Sequence, residues 1–417
     1  MAATAKGAKL GREGLRYREE AGVSPRGTDI PSIGEIIKVF LHLGVTAYGG
    51  LAMVEPIRRR VVTDKGWLSQ KEFLDGLALC QMVPGATVVQ LAAYVGYRLR
   101  RTSGALAAAA TFILPAFVLM LGLSELYFTY GNIAWVKSVS RGLGVVVIAL
   151  LLQTVWHLGR QVGKHWLDVA IALLALSALW FQANYLLVFG AAGLFRLILS
   201  RKLLADQVSP REPMPGQRLP VATTLTQLAL TLMGLAVLAG GLWRLDPKLG
   251  LMAATFFKIA MVAFGGGYAM IPILQWDLVD RLGWLTLQQF LDGILLGFVT
   301  PGPIIITATF VGYWVKGLMG AIVATVAIFA PPILIIIFLT PFYQKIKEAQ
   351  VMRPVIRGIL AALVGMLVLV TVQMGIITLT DLKALALMAG ASLALIVFKV
   401  NLLWIVAATA CLSLFLF

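Results

Sequence analysis

The chain has 417 residues, of which 59% are hydrophobic and 13% are charged, and its formal net charge is +16. A mean hydropathy of +0.89 excludes an ordinary water-soluble domain and indicates a protein that folds in a lipid bilayer. The positive charge does not indicate nucleic-acid binding, because the Lys and Arg residues collect at the ends of apolar segments. Cys80 and Cys411 have no spacing typical of a disulfide framework or a metal site.

The first 32 residues form a polar stretch with six Lys or Arg residues and four acidic residues. They lack the apolar core of a secretory signal, so we expect a cytoplasmic tail. Beyond the tail, several apolar stretches of about 20 residues are long enough to cross a hydrocarbon core about 30 Å thick as helices. They run over 104–130, 138–157, 166–182, 184–200, 223–243, 317–342, 354–373, 382–398 and 401–417. Two interrupted segments open each half of the chain, which brings the prediction to eleven to thirteen crossings.

One long motif occurs twice, about 216 residues apart. The first copy contains AYGGLAMVEP, WLSQKEFLDG and VPGATVVQLAAYVGY, and the second contains AFGGGYAMIP, WLTLQQFLDG and TPGPIIITATFVGY. Matching Gly and Pro interruptions in two halves of an apolar chain are the best sequence indication of a transporter's binding site. We therefore predict the tail at 1–32, a first transmembrane repeat at 33–200, a linker with one extra transmembrane helix at 201–249, and a second repeat at 250–417.

The distribution of Lys and Arg predicts how the repeats are oriented. If the N-terminal tail is cytoplasmic, most basic clusters also fall on the cytoplasmic side of the membrane. The run Arg58, Arg59 and Arg60 falls there only if the two segments around it do not cross the membrane. The segments 33–56 and 72–97 must enter and leave the membrane on the same face, as broken or re-entrant helices, and we favour this geometry. The extra helix at 223–243 then starts the second repeat from the opposite face. The predicted fold is an all-α polytopic membrane protein with two inverted repeats and about 11–13 membrane segments.

The Pro-Gly motifs at 83–88 and 300–305 interrupt otherwise apolar segments. Such breaks survive in a membrane only where protein or water satisfies the backbone, so each should divide its segment into two half-helices. The free N–H groups and the positive dipole end of a half-helix form a site for an anion. The glycine clusters let the backbone approach a ligand closely, although close helix packing by small residues is the alternative. The candidate substrate-binding residues of these motifs are Gly49, Gly50, Gly265, Gly266, Gly267, Pro84, Gly85, Ala86, Thr87, Gln90, Thr300, Pro301, Gly302 and Pro303.

Lys258 and His42 each precede the aromatic residue of a glycine motif by six residues, so both repeats place a basic residue at one position. An ionisable group inside a membrane segment is a functional candidate by default. Lys258 is the stronger candidate for attracting an anion. His42 is the weaker candidate, because a histidine need not be charged at pH 7, and a hydrogen-bonded core histidine is its alternative role. Neutral donors for an oxyanion come from Gln90, Thr87, Thr300, Thr307 and Thr309.

Three acidic residues are candidates for coupling or gating. Glu55 has no acidic counterpart in the second repeat, and it either pairs with the nearby arginines or carries a proton. Asp75 and Asp292 recur in the two FLDG motifs and could bind a coupling proton. The more common role of an Asp at such a position is to cap a helix or to pair with Lys or Arg.

These motifs resemble the chromate ion transporter family, in its long two-domain form. The resemblance rests on FKIAMVAFGGGYAMIP, WLTLQQFLDG and TPGPIIITATFVGY in the second half, and on WLSQKEFLDGLALCQMVPGATVVQLAAYVGY in the first. It covers both repeats, and therefore most of the chain. The resemblance implies a multi-pass protein of the prokaryotic inner membrane that extrudes chromate and confers resistance to it. It also implies that the glycine and Pro-Gly motifs are the functional parts.

The first half departs from the family pattern at four positions, namely His42, Tyr48, Leu51 and Ala86. The second half keeps Lys258, Phe264 and the full Pro301-Gly302-Pro303. Sulfate and related tetrahedral oxyanions have nearly the shape and charge of chromate, so a sulfate carrier, another oxyanion carrier and an anion channel stay open as alternatives. A homodimer also stays open.

An enzyme is the main alternative from another class. The three histidines have no metal-ligand spacing, and neither a G-x-S-x-G elbow nor a Walker A motif occurs in the chain. The sequence therefore predicts a transporter with no cofactor and no metal, whose substrate moves without direct use of ATP.

Overall fold

The computed structural model describes residues 31–46, 53–130, 133–204, 221–264, 267–342, 352–398, 400 and 402–417, and every regular element in these ranges is helical. The first half contains α1 (Ile33–Thr46), α2 (Val54–Arg58) with a π-helical turn (Arg59–Asp64), α3 (Gln70–Met82), α4 (Thr87–Tyr130), α5 (Ala134–Val162), α6 (Trp166–Trp180) and α7 (Tyr185–Leu204). The connecting helix is α8 (Val221–Leu245). The second half contains α9 (Pro247–Val262), α10 (Ile271–Gln275) between a 3-10 turn (Gly267–Met270) and a π-helical turn (Trp276–Arg281), α11 (Leu287–Val299), α12 (Thr307–Leu339) after a 3-10 turn (Ile304–Ile306), α13 (Met352–Thr378), α14 (Leu382–Ile396) and α15 (Leu402–Leu416).

Helix α4 is bent back on itself. Arg100 and Arg101 have non-helical backbone angles, and the φ of Arg101 is +54°. A Cβ atom on Gly96 would overlap the carbonyl oxygen of Gly104, whereas eight residues of straight helix would separate these glycines by about 12 Å. Two antiparallel arms therefore meet through bare backbone, namely α4a (87–99) and α4b (102–130).

Helix α12 has the same construction in the second repeat. The turn lies at Lys316 and Gly317, with a φ of +57° at Gly317. Gly312 and Gly320 make the corresponding close backbone contact. The arms are α12a (307–315) and α12b (318–339).

The segment α3–α4a is a re-entrant hairpin. A capping box at Ser69 starts α3, and the chain reverses direction after Met82. The side chain of Arg98 forms an ion pair with Glu72, and Tyr94 Oη donates to the Glu72 carbonyl at 3.1 Å. The two ends of the segment thus lie together at one face of the membrane, with Pro84 and Gly85 at its tip.

The segment α1–α2 enters and leaves at the same face as this hairpin. Arg100 Nε donates to the carbonyl of Pro31 at 2.9 Å, which places the start of α1 beside the α4 turn. Arg58 Nη1 donates to Gln70 Oε1 at 3.3 Å, which places the end of α2 beside the start of α3. The expected re-entrant geometry is confirmed, and the Arg58 to Arg60 run lies on the face that carries Arg98.

Nine crossing arms and four re-entrant hairpins make thirteen membrane segments, within the predicted range of about 11–13. By length and composition, four helices of the described residues can cross a membrane, and they contain α4b, α5, α12b and α13. We assign five shorter apolar helices as further crossings, namely α6, α7, α8, α14 and α15. Four hairpins re-enter the membrane, namely α1–α2, α3–α4a, α9–α10 and α11–α12a. Five crossings separate the first pair of hairpins from the second, so the second repeat starts from the opposite face.

Aromatic contacts at the far end of α4b confirm that the repeats are inverted. Phe128 stacks on Phe310 and Trp314, with ring centroids 4.9 and 4.7 Å apart. Trp314 in turn donates to the carbonyl of Trp284 at 2.7 Å, where the second hairpin begins. Arg100 lies at the other end of α4b, roughly 40 Å away along the helix. The bases of the two hairpins are therefore on opposite faces.

The last three helices of each repeat pack against the other repeat. Helix α13 lies against α6 and α7, and α5 lies against α14 and α15. Two equivalent contacts hold the ends of this bundle: Arg141 pairs with Asp381 at 2.9 Å, and Arg357 Nη1 lies 3.3 Å from His165 Nε2. The repeats are interlocked rather than side by side.

The contact between Gly96 and Gly104 predicts a large difference between two glycines of the same arm. Gly104→Ala should destabilise the hairpin by on the order of 1–3 kcal/mol, because its Cβ would overlap the Gly96 carbonyl. Gly122→Ala is the matched control, since a Cβ there meets no atom within 4 Å. Thermal unfolding of the purified variants measures both effects. Equal melting temperatures would contradict the hairpin.

Candidate functional site

The two Pro-Gly breaks are buried turns between half-helices. Gly85 lies between α3 and α4a, and Gly302 lies between α11 and the turn that starts α12. Their φ angles are +124° and +111°, a region that favours glycine. Both breaks are enclosed by protein, because Gly85, Pro301 and Gly302 are buried. The predicted division into half-helices is confirmed at both motifs.

Each break rests against the long crossing arm of the other repeat. A Cβ on Gly85 would overlap Pro332 in α12b, and a Cβ on Gly302 would lie 2.8 Å from that of Ala116 in α4b. Gly85 N–H also donates to the carbonyl of Ala263, at the end of α9, at 2.8 Å. Ala116 is near the middle of α4b. The two contacts are equivalent under exchange of the repeats, so an approximate two-fold axis relates the two breaks.

The half-helices that follow the breaks begin with unpaired backbone donors. The N–H groups of Thr87, Val88 and Val89 have no hydrogen-bond partner among the described residues, and neither do those of Ile304 and Ile305. All five residues are buried. Such groups are the positive end of a helix dipole, and a buried set of them requires a ligand, a water or another polar partner.

Gln90 is the polar side chain closest to the first break. It is fully buried, and its Nε2 donates to the carbonyl of Pro84 at 2.6 Å. Its Oε1 has no partner among the described residues. The Gln90 amide nitrogen therefore stabilises the turn, whereas its Oε1 atom can still accept a hydrogen bond.

The threonines of the second repeat are already engaged as donors. Thr300 Oγ1 donates to Leu296 O at 2.7 Å, and Thr307 Oγ1 donates to Ile304 O at 3.0 Å. Thr309 and Thr325 share a hydrogen bond at 2.7 Å. These hydroxyls stabilise the hairpin, so the donors available at this break are backbone N–H groups.

The glycine motifs lie mostly outside the described residues, which is the case for Gly49, Gly50, Gly265 and Gly266. Gly267 is described and starts the 3-10 turn before α10. A Cβ on Gly267 would lie 3.7 Å from side-chain atoms of Ile304 and Ile305. The fold thus brings the end of the second glycine motif against the second break.

Lys258 is held in a polar cluster that the sequence did not predict. Lys258 Nζ lies 2.7 Å from Asp277 Oδ1, and Arg281 Nε donates to the same oxygen at 2.8 Å. Tyr185 Oη donates to the other oxygen at 2.7 Å, and its ring faces the ammonium group of Lys258. Asp277 is fully buried, whereas Lys258 is 31% exposed. Two cations share one carboxylate, so the cluster keeps one positive charge.

The first repeat has an acidic and a basic residue at the positions equivalent to Asp277 and Arg281, but in the opposite order. In the π-helical turns, Arg60 corresponds to Asp277 and Asp64 corresponds to Arg281, and the Arg60–Asp64 pair is longer, at 3.4 Å. Arg60 Nε is buried without a partner among the described residues. His42, which corresponds to Lys258, lies on an exposed face, so it is not a core histidine. A residue-by-residue comparison of the repeats would have revealed this exchange.

The acidic candidates differ in their partners. Glu55 pairs with Arg58 at 2.6 Å, which is the first of the two arrangements predicted for it. Asp292 is buried and accepts hydrogen bonds from Tyr127 Oη at 2.5 Å and from Gln288 Nε2 at 3.1 Å. It does not cap α11, because Thr286 does. Asp75 is half-buried at the equivalent position of α3.

The turn geometry predicts that alanine is not tolerated at either break. Gly85→Ala and Gly302→Ala should lower both the melting temperature and transport, because each adds a Cβ that meets the opposite repeat at a positive φ. Gly283→Ala is the control, since Gly283 also has a positive φ, +58°, but no atom within 4 Å of a Cβ. That variant should lose only about 1 kcal/mol. Indistinguishable melting curves for the three variants would contradict the reciprocal packing.

Comparison with known proteins agrees with this architecture. The sequence model of the family described as "Chromate transporter" matches residues 34–197 and 250–414. The chain is 33% identical over 379 residues to an uncharacterized transporter of Methanocaldococcus jannaschii, which covers 90% of this chain and 92% of the relative. It is 30% identical to the chromate transport protein of Cupriavidus metallidurans over 80% of each chain, and 30% identical to a probable chromate transport protein of Synechococcus elongatus over 84% and 86%. No solved structure matches the chain. The two matched repeats and the relatives over most of the length show that the chain belongs to the chromate transporter family.

Proposed function

We propose that the protein exports chromate, or a related tetrahedral oxyanion, from the cytoplasm across a prokaryotic plasma membrane and thereby confers resistance. The observation that carries the proposal is the pair of buried half-helix starts, which present unpaired N–H groups from opposite sides of a two-fold axis. Relatives named as chromate transport proteins support chromate as the substrate.

The proposed site uses backbone donors at its centre and cations at its edges. The N–H groups after Pro84-Gly85-Ala86 and Pro301-Gly302-Pro303 would replace water around the oxyanion, with Gln90 beside the first break. Backbone donors at helix starts suit anions because no proton has to be gained or lost. The remaining proposed contacts come from His42, Gly49, Gly50, Gly265, Gly266, Gly267 and Thr87. Thr300 would line the site without donating to the anion, because its N–H and its hydroxyl both donate to Leu296 O.

Lys258 would attract the anion through the net positive charge of its cluster. Asp277 neutralises only one of the two cations that it holds, and Lys258 is partly exposed. An approaching dianion can therefore compete for the ammonium group while Arg281 keeps Asp277 paired. This arrangement binds the anion reversibly, which a transporter needs.

The membrane voltage favours export. With the cytoplasm negative, each negative charge that leaves gains about 2.3 kcal/mol per 100 mV, and a dianion gains twice that amount. Accumulation of the same ion in the cell would need coupling to another gradient. We therefore place the N-terminal tail and the Arg58 to Arg60 face in the cytoplasm, where the anion enters.

Transport by purified protein in lipid vesicles tests the proposal. Labelled chromate uptake is measured with the voltage clamped by potassium and valinomycin, with and without excess sulfate. We expect saturable, voltage-dependent flux, and inhibition by sulfate in proportion to its affinity. Flux of sulfate alone would establish the alternative oxyanion carrier, and flux that never saturates would indicate an anion channel. Absence of any oxyanion flux would contradict the proposal.

Lys258→Ala should reduce oxyanion flux by at least about tenfold, which corresponds to about 1.4 kcal/mol of binding free energy. The variant should still fold, because Asp277 keeps Arg281 at 2.8 Å and Tyr185 at 2.7 Å. Lys248→Ala is the matched control, since Lys248 is an exposed lysine at the start of the same helix, α9. Vesicle flux per folded protein is the measurement. Wild-type flux in Lys258→Ala would remove the role proposed for its charge.

A further inference from the structure

The described part of the chain contains three buried carboxylates, and their partners differ in charge. Asp168 is paired with Arg196 at 2.6 Å, and Asp277 is paired with both Lys258 and Arg281. Asp292 has only neutral donors, Tyr127 and Gln288. Burial of an ionised carboxylate costs free energy unless a cation compensates its charge. Of the three carboxylates, Asp292 is therefore the one that protonation stabilises most.

The surroundings of Asp292 contain no compensating cation among the described residues. Arg141 of α5 is the nearest candidate along that helix, but its Nη2 is bound to Asp381 at 2.9 Å and to Thr380 at 3.0 Å. Lys316, at the end of α12a, is paired with Asp246 at 2.5 Å. Helix α10 and the 3-10 turn Ile304–Ile306 have no Lys, Arg or acidic residue.

The last two turns of α4b carry three titratable groups, Glu125, Tyr127 and Tyr130. Tyr127 Oη donates a hydrogen bond to the carboxylate, and Glu125 and Tyr130 are exposed. Two neutral donors stabilise the ionised form of Asp292 but do not neutralise its charge. The same group can therefore exist in both protonation states, which a proton carrier requires.

Asp292 is within reach of one membrane face. Gln288 lies one turn earlier on α11, is exposed, and donates from Nε2 to Asp292 Oδ1 at 3.1 Å. The same nitrogen lies 3.5 Å from the carbonyl of Ser140, near the Arg141–Asp381 pair at that end of the bundle. Asp292 is therefore one helical turn from an exposed polar side chain on the side of the bundle opposite to Arg100.

Asp292 also connects the two repeats. It is on α11, the half-helix that leads into the second break at Thr300, about 12 Å further along the helix. Its donor Tyr127 belongs to the first repeat, on the crossing arm that carries Ala116 against Gly302. Loss or gain of a proton at Asp292 changes a hydrogen bond between the repeats and acts on the helix that forms the anion site.

We propose that Asp292 is the proton-binding site that couples oxyanion transport to proton movement, and that Tyr127 positions it. This inference rests on the proposed oxyanion transport. In the ionised state the carboxylate accepts from Tyr127 and Gln288. In the protonated state the neutral carboxyl allows α11 and α4b to separate, so one proton is bound and released in each transport cycle.

Vesicles loaded with a pH-sensitive dye test the coupling, with chromate as the probe and the voltage held at zero. We expect proton movement to accompany chromate flux in the wild-type protein, and an imposed pH difference to drive chromate uphill. Asp292→Asn should lose both effects but retain downhill chromate exchange. Protonation of chromate itself affects all variants equally. Glu125→Gln, on the exposed side of α4b, should behave as wild type.

Several outcomes would overturn the inference. Proton movement in Asp292→Asn at the wild-type level would do so, as would chromate flux without proton movement in the wild-type protein. Absence of chromate and sulfate flux altogether would contradict the proposed function itself, and the inference with it. These results are distinguishable because anion flux and proton movement are recorded separately.

A second variant and a direct measurement guard against a misfolded Asp292→Asn. Tyr127→Phe keeps the aromatic contacts with Phe128 and Phe310 but removes one donor to the carboxylate. Infrared spectroscopy of the purified protein should show a carboxyl band that titrates with pH, with its midpoint at higher pH in Tyr127→Phe. An unchanged midpoint would remove the positioning role of Tyr127. A titration without any buried carboxyl band would overturn the proton site.

Discussion

A helix that breaks inside a bilayer exposes backbone groups that lipid cannot hydrogen-bond, and this single constraint organises the molecule. Both Pro-Gly breaks are enclosed by the opposite repeat, Gly85 against Pro332 and Gly302 against Ala116. The donor of Gly85 is satisfied by Ala263, a residue of the other repeat. Neither repeat can therefore stabilise its own break alone. The interlocked packing of α5 and α13 across the repeats follows the same requirement.

The enclosure leaves a particular set of donors for a ligand. Near the second break, the hydroxyls of Thr300 and Thr307 donate to backbone carbonyls. After the first break, the first N–H groups of α4a have no partner within the described ranges. Such a site would recognise shape and negative charge through the backbone. Discrimination among oxyanions would then depend on the size of the space and on the cations at its edges, where the repeats differ most.

The two repeats have similar backbones but differ in their charged residues. The π-helical turns carry Arg60 and Asp64 in one repeat and Asp277 and Arg281 in the other, so the carboxylate and the guanidinium exchange places. Since the repeats are inverted, this exchange gives the two membrane faces different charged groups. Asp277 and Asp168 stay compensated by buried or half-buried cations, and Asp292 is compensated only by neutral donors. A symmetric backbone thus carries an asymmetric set of ionisable groups.

The sequence by itself determined the membrane class, the inverted repeats and the positions of the breaks, because hydropathy, charge and Pro-Gly interruptions are local signals. It also identified Lys258, Gly85 and Asp292 as candidates. Only the tertiary structure decided what surrounds them. The partners Asp277, Tyr185 and Tyr127 come from segments far along the chain, and the turns at Arg101 and Gly317 hide within long apolar runs. No local pattern encodes such contacts, since they arise when inverted copies of one motif pack against each other.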